Sequence, residues 1–165
     1  MWLAVQDRLP SGVELRKKCW KGNPHCSLCG KLETMDHIFF KCILARFTWV
    51  CFKEALGWMR IPNGLQDFFD NWIPVGCPKY NTKLFLLAIT MWALWTIRNK
   101  RVMEGRFMRQ PANILFKINS FLQKWRVLLK DIDRCNLEKL ALQVKTCVES
   151  FLEKLRSSPF VEDLL

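Results

Sequence analysis

The sequence predicts an all-α chain: a small helical domain followed by a C-terminal antiparallel helical hairpin. Two observations predict this. Apolar residues in the last third recur at i, i+3, i+4 and i+7, and no stretch of the chain alternates with the period of a strand. Helix-starting and helix-ending residues also punctuate the first two thirds, with Ser11 and Asn81 at starts and Gly57 and Gly105 at ends.

Trp2 to Leu9 can form a short helix that stops at Pro10. Ser11 opens a second helix, with Glu14 at the capping-box spacing, and it runs to about Lys18. A loop with Gly22, Asn23 and Pro24 leads into a cluster of cysteines. Residues 35–56 carry a helical pattern that ends at Gly57, a C-cap. A turn at Pro62, Asn63 and Gly64 precedes a short helix over 65–72, and Pro74, Gly76 and Pro78 make the next loop. Asn81 caps a long helix ending at Glu104. Two amphipathic runs follow, one from Ile114 to Leu129 and one from Leu137 to Leu155, with Asn136 placed to cap the second. Their apolar faces need a partner: each other, the first domain, or another chain. Ser157 to Leu165 reads as a frayed tail.

Half of the 165 residues are hydrophobic, with eight Trp and 12 Phe, so an aromatic core is within reach and disorder is excluded. The run 84–97 is 14 residues long, short of the roughly 18–20 that span a bilayer, and reads as a buried core helix rather than a membrane segment. The net charge is +11. Residues 1–110 carry 17 Lys/Arg against 8 Asp/Glu, whereas residues 111–165 carry 9 against 7. A basic first part suits an acidic partner, nucleic acid above all. No secretory signal is read, because Asp7 and Arg8 interrupt the N-terminus. The eight cysteines therefore suggest an intracellular, reducing compartment rather than a disulfide framework.

Three of those cysteines lie close to a histidine, in the order Cys26-x2-Cys29-x7-His37-x4-Cys42. Two cysteines separated by two residues can reach one ion from a tight turn, and Gly30 next to the second supplies the positive φ such turns use. Three sulfurs and one imidazole make a closed tetrahedral set for one structural Zn²⁺, with no open position for a reactive water. The competing reading is unrelated buried thiols. Cys19 and His25 are candidate stand-ins for a ligand, His25 being awkwardly placed beside Cys26. The geometry makes one further demand. Five residues along an α-helix turn about 500°, leaving side chains about 140° apart. The helix that opens near Thr34 must therefore end or bend around Lys41, with a new one starting near Ile43.

Several stretches around these residues occur in a familiar order: Trp2, Asp7-Arg8-Leu9-Pro10-Ser11, Leu15-Arg16, Cys26-x2-Cys29-Gly30, Glu33-Thr34-Met35-Asp36-His37-Ile38-Phe39-Phe40-x-Cys42 and Ala45-Arg46-x2-Trp49. This run resembles the zinc-binding domain of plant LINE-type (non-LTR retrotransposon) reverse transcriptases. Trp92-Ala93-Leu94-Trp95-x2-Arg98-Asn99-Lys100-Arg101-Val102 resembles the segment that follows it there. The resemblance covers about residues 2–105. It implies that Cys26, Cys29, His37 and Cys42 are the metal ligands, and that the domain engages nucleic acid during reverse transcription. Where that family has Pro after the last cysteine, this chain has Ile43. The chain also opens inside the motif, at Met1-Trp2, which suggests a truncated first helix.

The expected organisation is thus all-α, with a zinc-stapled reverse-transcriptase-type domain over 1–105 and an amphipathic helical hairpin with a frayed tail over 106–165. No enzyme is expected. The lone Tyr80 has no paired aspartates beside it, and the acidic pairs Asp131/Asp133 and Glu162/Asp163 sit at a helix end and in the tail. The expected partner is RNA or DNA, held by two basic clusters. Arg16, Lys17, Lys18 and Lys21 form one; Arg98, Lys100 and Arg101, with Arg106 and Arg109, form the other. The alternatives are a zinc-stabilised scaffold that docks a protein or self-associates through residues 113–155, and a genomic relic with no selected role. No membrane is expected. The run 98–101 is compatible with a nuclear location.

Overall fold

The computed structural model describes residues 2–156 apart from 7 and 75. The expected frayed tail, with Glu162 and Asp163, lies outside the described residues. Among the described residues, seven α-helices follow in order: α1 (Trp2–Val5), α2 (Gly12–Lys17), α3 (Ile43–Leu56), α4 (Leu65–Asp67), α5 (Tyr80–Glu104), α6 (Asn113–Trp125) and α7 (Asp131–Arg156). Two wide π turns, His37–Lys41 and Phe68–Trp72, precede α3 and continue α4. Among the described residues there is no strand, and a single antiparallel bridge joins His25 to Leu32.

Several local expectations hold. Ser11 caps α2, its hydroxyl accepting from the Glu14 N–H at 3.3 Å, although the Glu14 carboxylate turns to Lys17 instead of closing the box. Gly57 and Gly105 end α3 and α5 with φ of 66° and 63°. Two expectations fail. Asn81 does not cap α5, which begins at Tyr80 after a left-handed Lys79. Its side chain instead donates to Asp133 at 3.2 Å, as does the Thr82 hydroxyl, so the starts of α5 and α7 are joined through a buried carboxylate. Asn136 likewise lies inside α7, which opens at Asp131.

α5 is the central element. Leu86, Leu87, Ile89, Ala93, Leu94 and Ile97 are buried, and the helix packs against the first π turn, α6 and α7. This accounts for the apolar run 84–97 as core, and no helix among the described residues is long and apolar enough to cross a membrane. α7 packs on α3 as well as on α5 and α6. The apolar faces of the last two helices, including Ile114, Ile118, Leu122, Leu137, Val144 and Val148, are covered by this chain itself. The core extends unbroken from Ala4 to Val148. Its aromatic centre is the fully buried Trp49, whose ring meets Phe40, Phe52, Trp58 and Phe68 and whose Nε1 donates to the Phe39 carbonyl at 2.7 Å.

Candidate metal centre

The first two sulfurs come from a short looped-back segment. The Glu33 N–H donates to the Pro24 carbonyl at 3.0 Å and the Cys26 N–H to the Lys31 carbonyl at 2.8 Å. Between them the chain turns on itself: Gly30 donates to the Cys26 carbonyl at 2.8 Å and takes a φ of 70°, as the sequence predicts. The Leu28 N–H points at Cys26 Sγ, 3.4 Å away, an arrangement that favours a thiolate.

The other two donors come from the π turn. Thr34 opens it, its hydroxyl accepting from the His37 N–H at 3.1 Å. The turn closes when the Cys42 N–H donates to the His37 carbonyl at 2.7 Å. This bond spans five residues, so it stacks Cys42 over His37 where an α-helix would set them on different faces. Cys42 then becomes extended (φ −63°, ψ 148°) and α3 begins at Ile43. The expected break is therefore present, and the device that makes it is the wide turn. Ile43 occupies the first helical position, the one proline favours, so the same break forms without proline.

The four donor atoms of Cys26, Cys29, His37 and Cys42 all lie within 4.8 Å of one another. Cys26 Sγ is 3.8 Å from Cys42 Sγ, and Cys29 Sγ is 3.3 Å from His37 Nε2. A tetrahedral zinc with bonds of about 2.3 Å to sulfur requires sulfurs about 3.8 Å apart, and sulfur about 3.5 Å from an imidazole nitrogen. The sulfur spacing is much too wide for a disulfide, whose atoms sit about 2.05 Å apart, and all eight cysteines are free. The hydrogen bond between Cys42 and Cys26 draws the Cys26 thiol far down, while the same contact and burial push the Cys42 thiol up. The two shifts run in opposite directions, and a dication held between the sulfurs would favour the thiolate form of both. Cys26, His37 and Cys42 are buried, which suits a structural site. Cys19 and His25, the stand-ins, lie outside the cluster. Cys19 is exposed, and His25 turns to the Asn23 side chain at 2.8 Å.

Side chains from α5 support the loop. Glu33, with a side chain 5% exposed, accepts from Arg98 Nη2 at 2.5 Å and Nε at 3.1 Å, and from the Gly12 N–H at 3.0 Å. Arg101 holds Ser27, between the two knuckle cysteines, donating to its hydroxyl at 2.7 Å and its carbonyl at 2.9 Å. The sequence assigns both arginines to phosphate contacts. In this fold Arg98 is turned inward and Arg101 is half-buried against the loop. Arg16, Lys17, Lys18, Lys21, Lys100, Arg106 and Arg109 are exposed or only partly covered, with Lys17 paired to Glu14. Glu33 and Ser27 are supporting residues that sequence reasoning does not single out, whereas Thr34 opens the turn where the sequence places a helix start.

The site defines a helical module whose Cys3His cluster could hold one zinc ion with four protein donors. Residues 1–49 match the family described as zinc-binding in reverse transcriptase. That region is a zinc-binding element rather than a catalytic domain. A comparison with curated proteins finds no match, and one with solved structures finds none.

Proposed function

We propose that the chain is a non-catalytic structural-zinc module derived from a retroelement reverse transcriptase of the plant LINE type, and that it binds RNA or DNA. The observation that carries this reading is the closed Cys3His cluster within the stretch that matches a reverse-transcriptase zinc-binding family. Exposed cations lie near it in sequence. Arg16, Lys18 and Lys21 lie in or just after the helix whose first N–H is tied to Glu33, and Lys100, Arg106 and Arg109 neighbour in sequence the two arginines tied to the loop. Such groups would contact phosphates and give salt-sensitive, sequence-tolerant binding.

The test is fluorescence anisotropy of the zinc-loaded protein with labelled oligonucleotides over a salt series. Replacing Arg16, Lys18 and Lys21 with Glu should weaken binding, and removing each phosphate-binding cation should flatten the salt slope by about 0.7–0.9. Absence of binding at low salt would overturn the reading. A protein-docking role is the second reading. Val127, Leu128 and Ile132, exposed around the turn between α6 and α7, favour it. Light scattering that finds a monomer indifferent to their replacement by Ser would remove the self-association form of it.

A further inference from the structure

We propose that the surface beside the zinc loop takes single-stranded rather than duplex nucleic acid, with the rings of Trp20 and Phe107 as stacking platforms for bases. The proposal rests on the nucleic-acid reading above and narrows it.

Trp20 leaves α2 through a sharp reversal. Cys19 takes a left-handed φ of 61°, and the Trp20 N–H returns to the Leu15 carbonyl at 3.1 Å. The indole then lies on Gly22, where a Cβ would collide with the ring. Glycine thus provides a bare backbone that backs the ring, while 39% of the residue remains in solvent. Exposed Lys18 and Lys21 flank it in sequence.

Phe107 has the same character beyond the end of α5. The Arg101 guanidinium sits over its ring, 4.9 Å from the centroid, and the residue is 37% exposed. Arg101 is itself fixed to Ser27, so the ring is tied through one side chain to the zinc knuckle. Lys100, Arg106 and Arg109 stand exposed around it in sequence.

Each platform therefore combines a flat ring supported from behind with neighbouring cations. A duplex keeps its base faces stacked inside and offers such rings nothing. A single strand offers phosphates and free base faces together, and stacking on aromatic side chains is a sequence-tolerant way to hold it.

The experiment compares short labelled oligo(dT) and oligo(U) with a duplex of equal length, by anisotropy, on the zinc-loaded full chain. The variants are W20L and F107L, which keep apolar bulk but remove the flat face, with W20F as the rescue. Zinc content, measured for each, should stay at one per chain. The expected result is tighter binding of single strands, a roughly 5- to 150-fold weakening in each Leu variant with the salt slope unchanged, and recovery in W20F. Equal binding of duplex and single strand, with both Leu variants unaffected, overturns the stacking inference and leaves the phosphate-contact reading standing. Failure of every nucleic acid to bind at low salt overturns both.

Discussion

Replacing Arg98 with Met should destabilise the protein far more than loss of an ordinary surface cation. The Glu33 side chain is 5% exposed and that of Arg98 12%, and two of the three donors on Glu33 come from this one guanidinium. R98M keeps the apolar stem but leaves a buried carboxylate with the Gly12 N–H as its remaining donor of the three. Breaking a buried pair in this way costs about 3–5 kcal/mol. In a chain of this size that corresponds to a fall in Tm of about 6–20 °C. The loss should reach the metal as well. The Glu33 backbone is bonded to Pro24 on one side and to the Val13 N–H on the other, so its displacement loosens the loop that carries Cys26 and Cys29. Urea melts of the zinc-loaded protein and the rate of zinc release to a chromogenic chelator measure the two effects. The double variant E33Q/R98M should recover most of the stability, because no buried charge remains and the introduced amide can still accept from the Gly12 N–H. A change below about 1 kcal/mol in R98M would mean that water screens the pair like a surface bridge, and would refute the strut from α5 to the loop.

Chelation of the metal should remove folding free energy on the order of 10 kcal/mol, comparable with the stability of a whole domain. Helical circular dichroism should fall and melting should collapse; an unchanged melt would contradict the site. Gly12→Ala should cost more than Gly30→Ala: a Cβ on Gly12 meets the Pro24 carbonyl at 2.5 Å, whereas Gly30 faces open space and suffers only from its φ of 70°, about 1–2 kcal/mol. The reverse order in urea melts would show that the loop gives way easily at Pro24. Alkylation of the zinc-loaded protein at pH ~8, followed by mass spectrometry, should label the exposed Cys19 and Cys135 first. Burial raises the Cys51 thiol to about 11, so its thiolate is scarce and labelling slow. The folded chain keeps that proton to about pH 11 while the unfolded chain releases it near 9.0, so stability falls as pH rises through this window. Cys51→Ala should flatten that slope, and an unaltered slope would place its cause elsewhere.

The metal site was legible in the sequence because its chemistry is dense and local. Four ligands within 17 residues, plus the roughly 100° step of a helix, already require a break before Ile43. The form of that break was not legible, since nothing in Ile38-Phe39-Phe40-Lys41 separates a π turn from an ordinary helix end. Helix ends marked by glycine were readable because a left-handed cap is a local demand at Gly57 and Gly105. Asn81 and Asn136 show the opposite case. Asn is favoured at caps, yet Asn81 serves a carboxylate 52 residues away, and no local pattern encodes that distance. Arg98 and Arg101 are similar: their charge is plain in the sequence, but their engagement with Glu33 and Ser27 depends on where α5 passes the loop.

These long-range ties bear on what the zinc does. The family match ends at Trp49, in the middle of α3, yet the Trp49 ring touches Phe52, Trp58 and Phe68 beyond that boundary, and its Nε1 holds the Phe39 carbonyl inside the π turn. Cys26 and Cys29 gain their spacing from the loop's own backbone bonds, but His37 and Cys42 sit on a turn whose Ile38, Phe39 and Phe40 are buried, with α5 packed against the turn. A wide turn has poorer intrinsic stability than a regular helix and persists where packing holds it. The metal therefore draws on two sources of order, one local and one supplied by residues 50–104. Binding free energy for the ion and stability of the aromatic core should then be linked: a change that loosens Trp49 or α5 should weaken the hold on His37 and Cys42, and loss of the ion should loosen the turn.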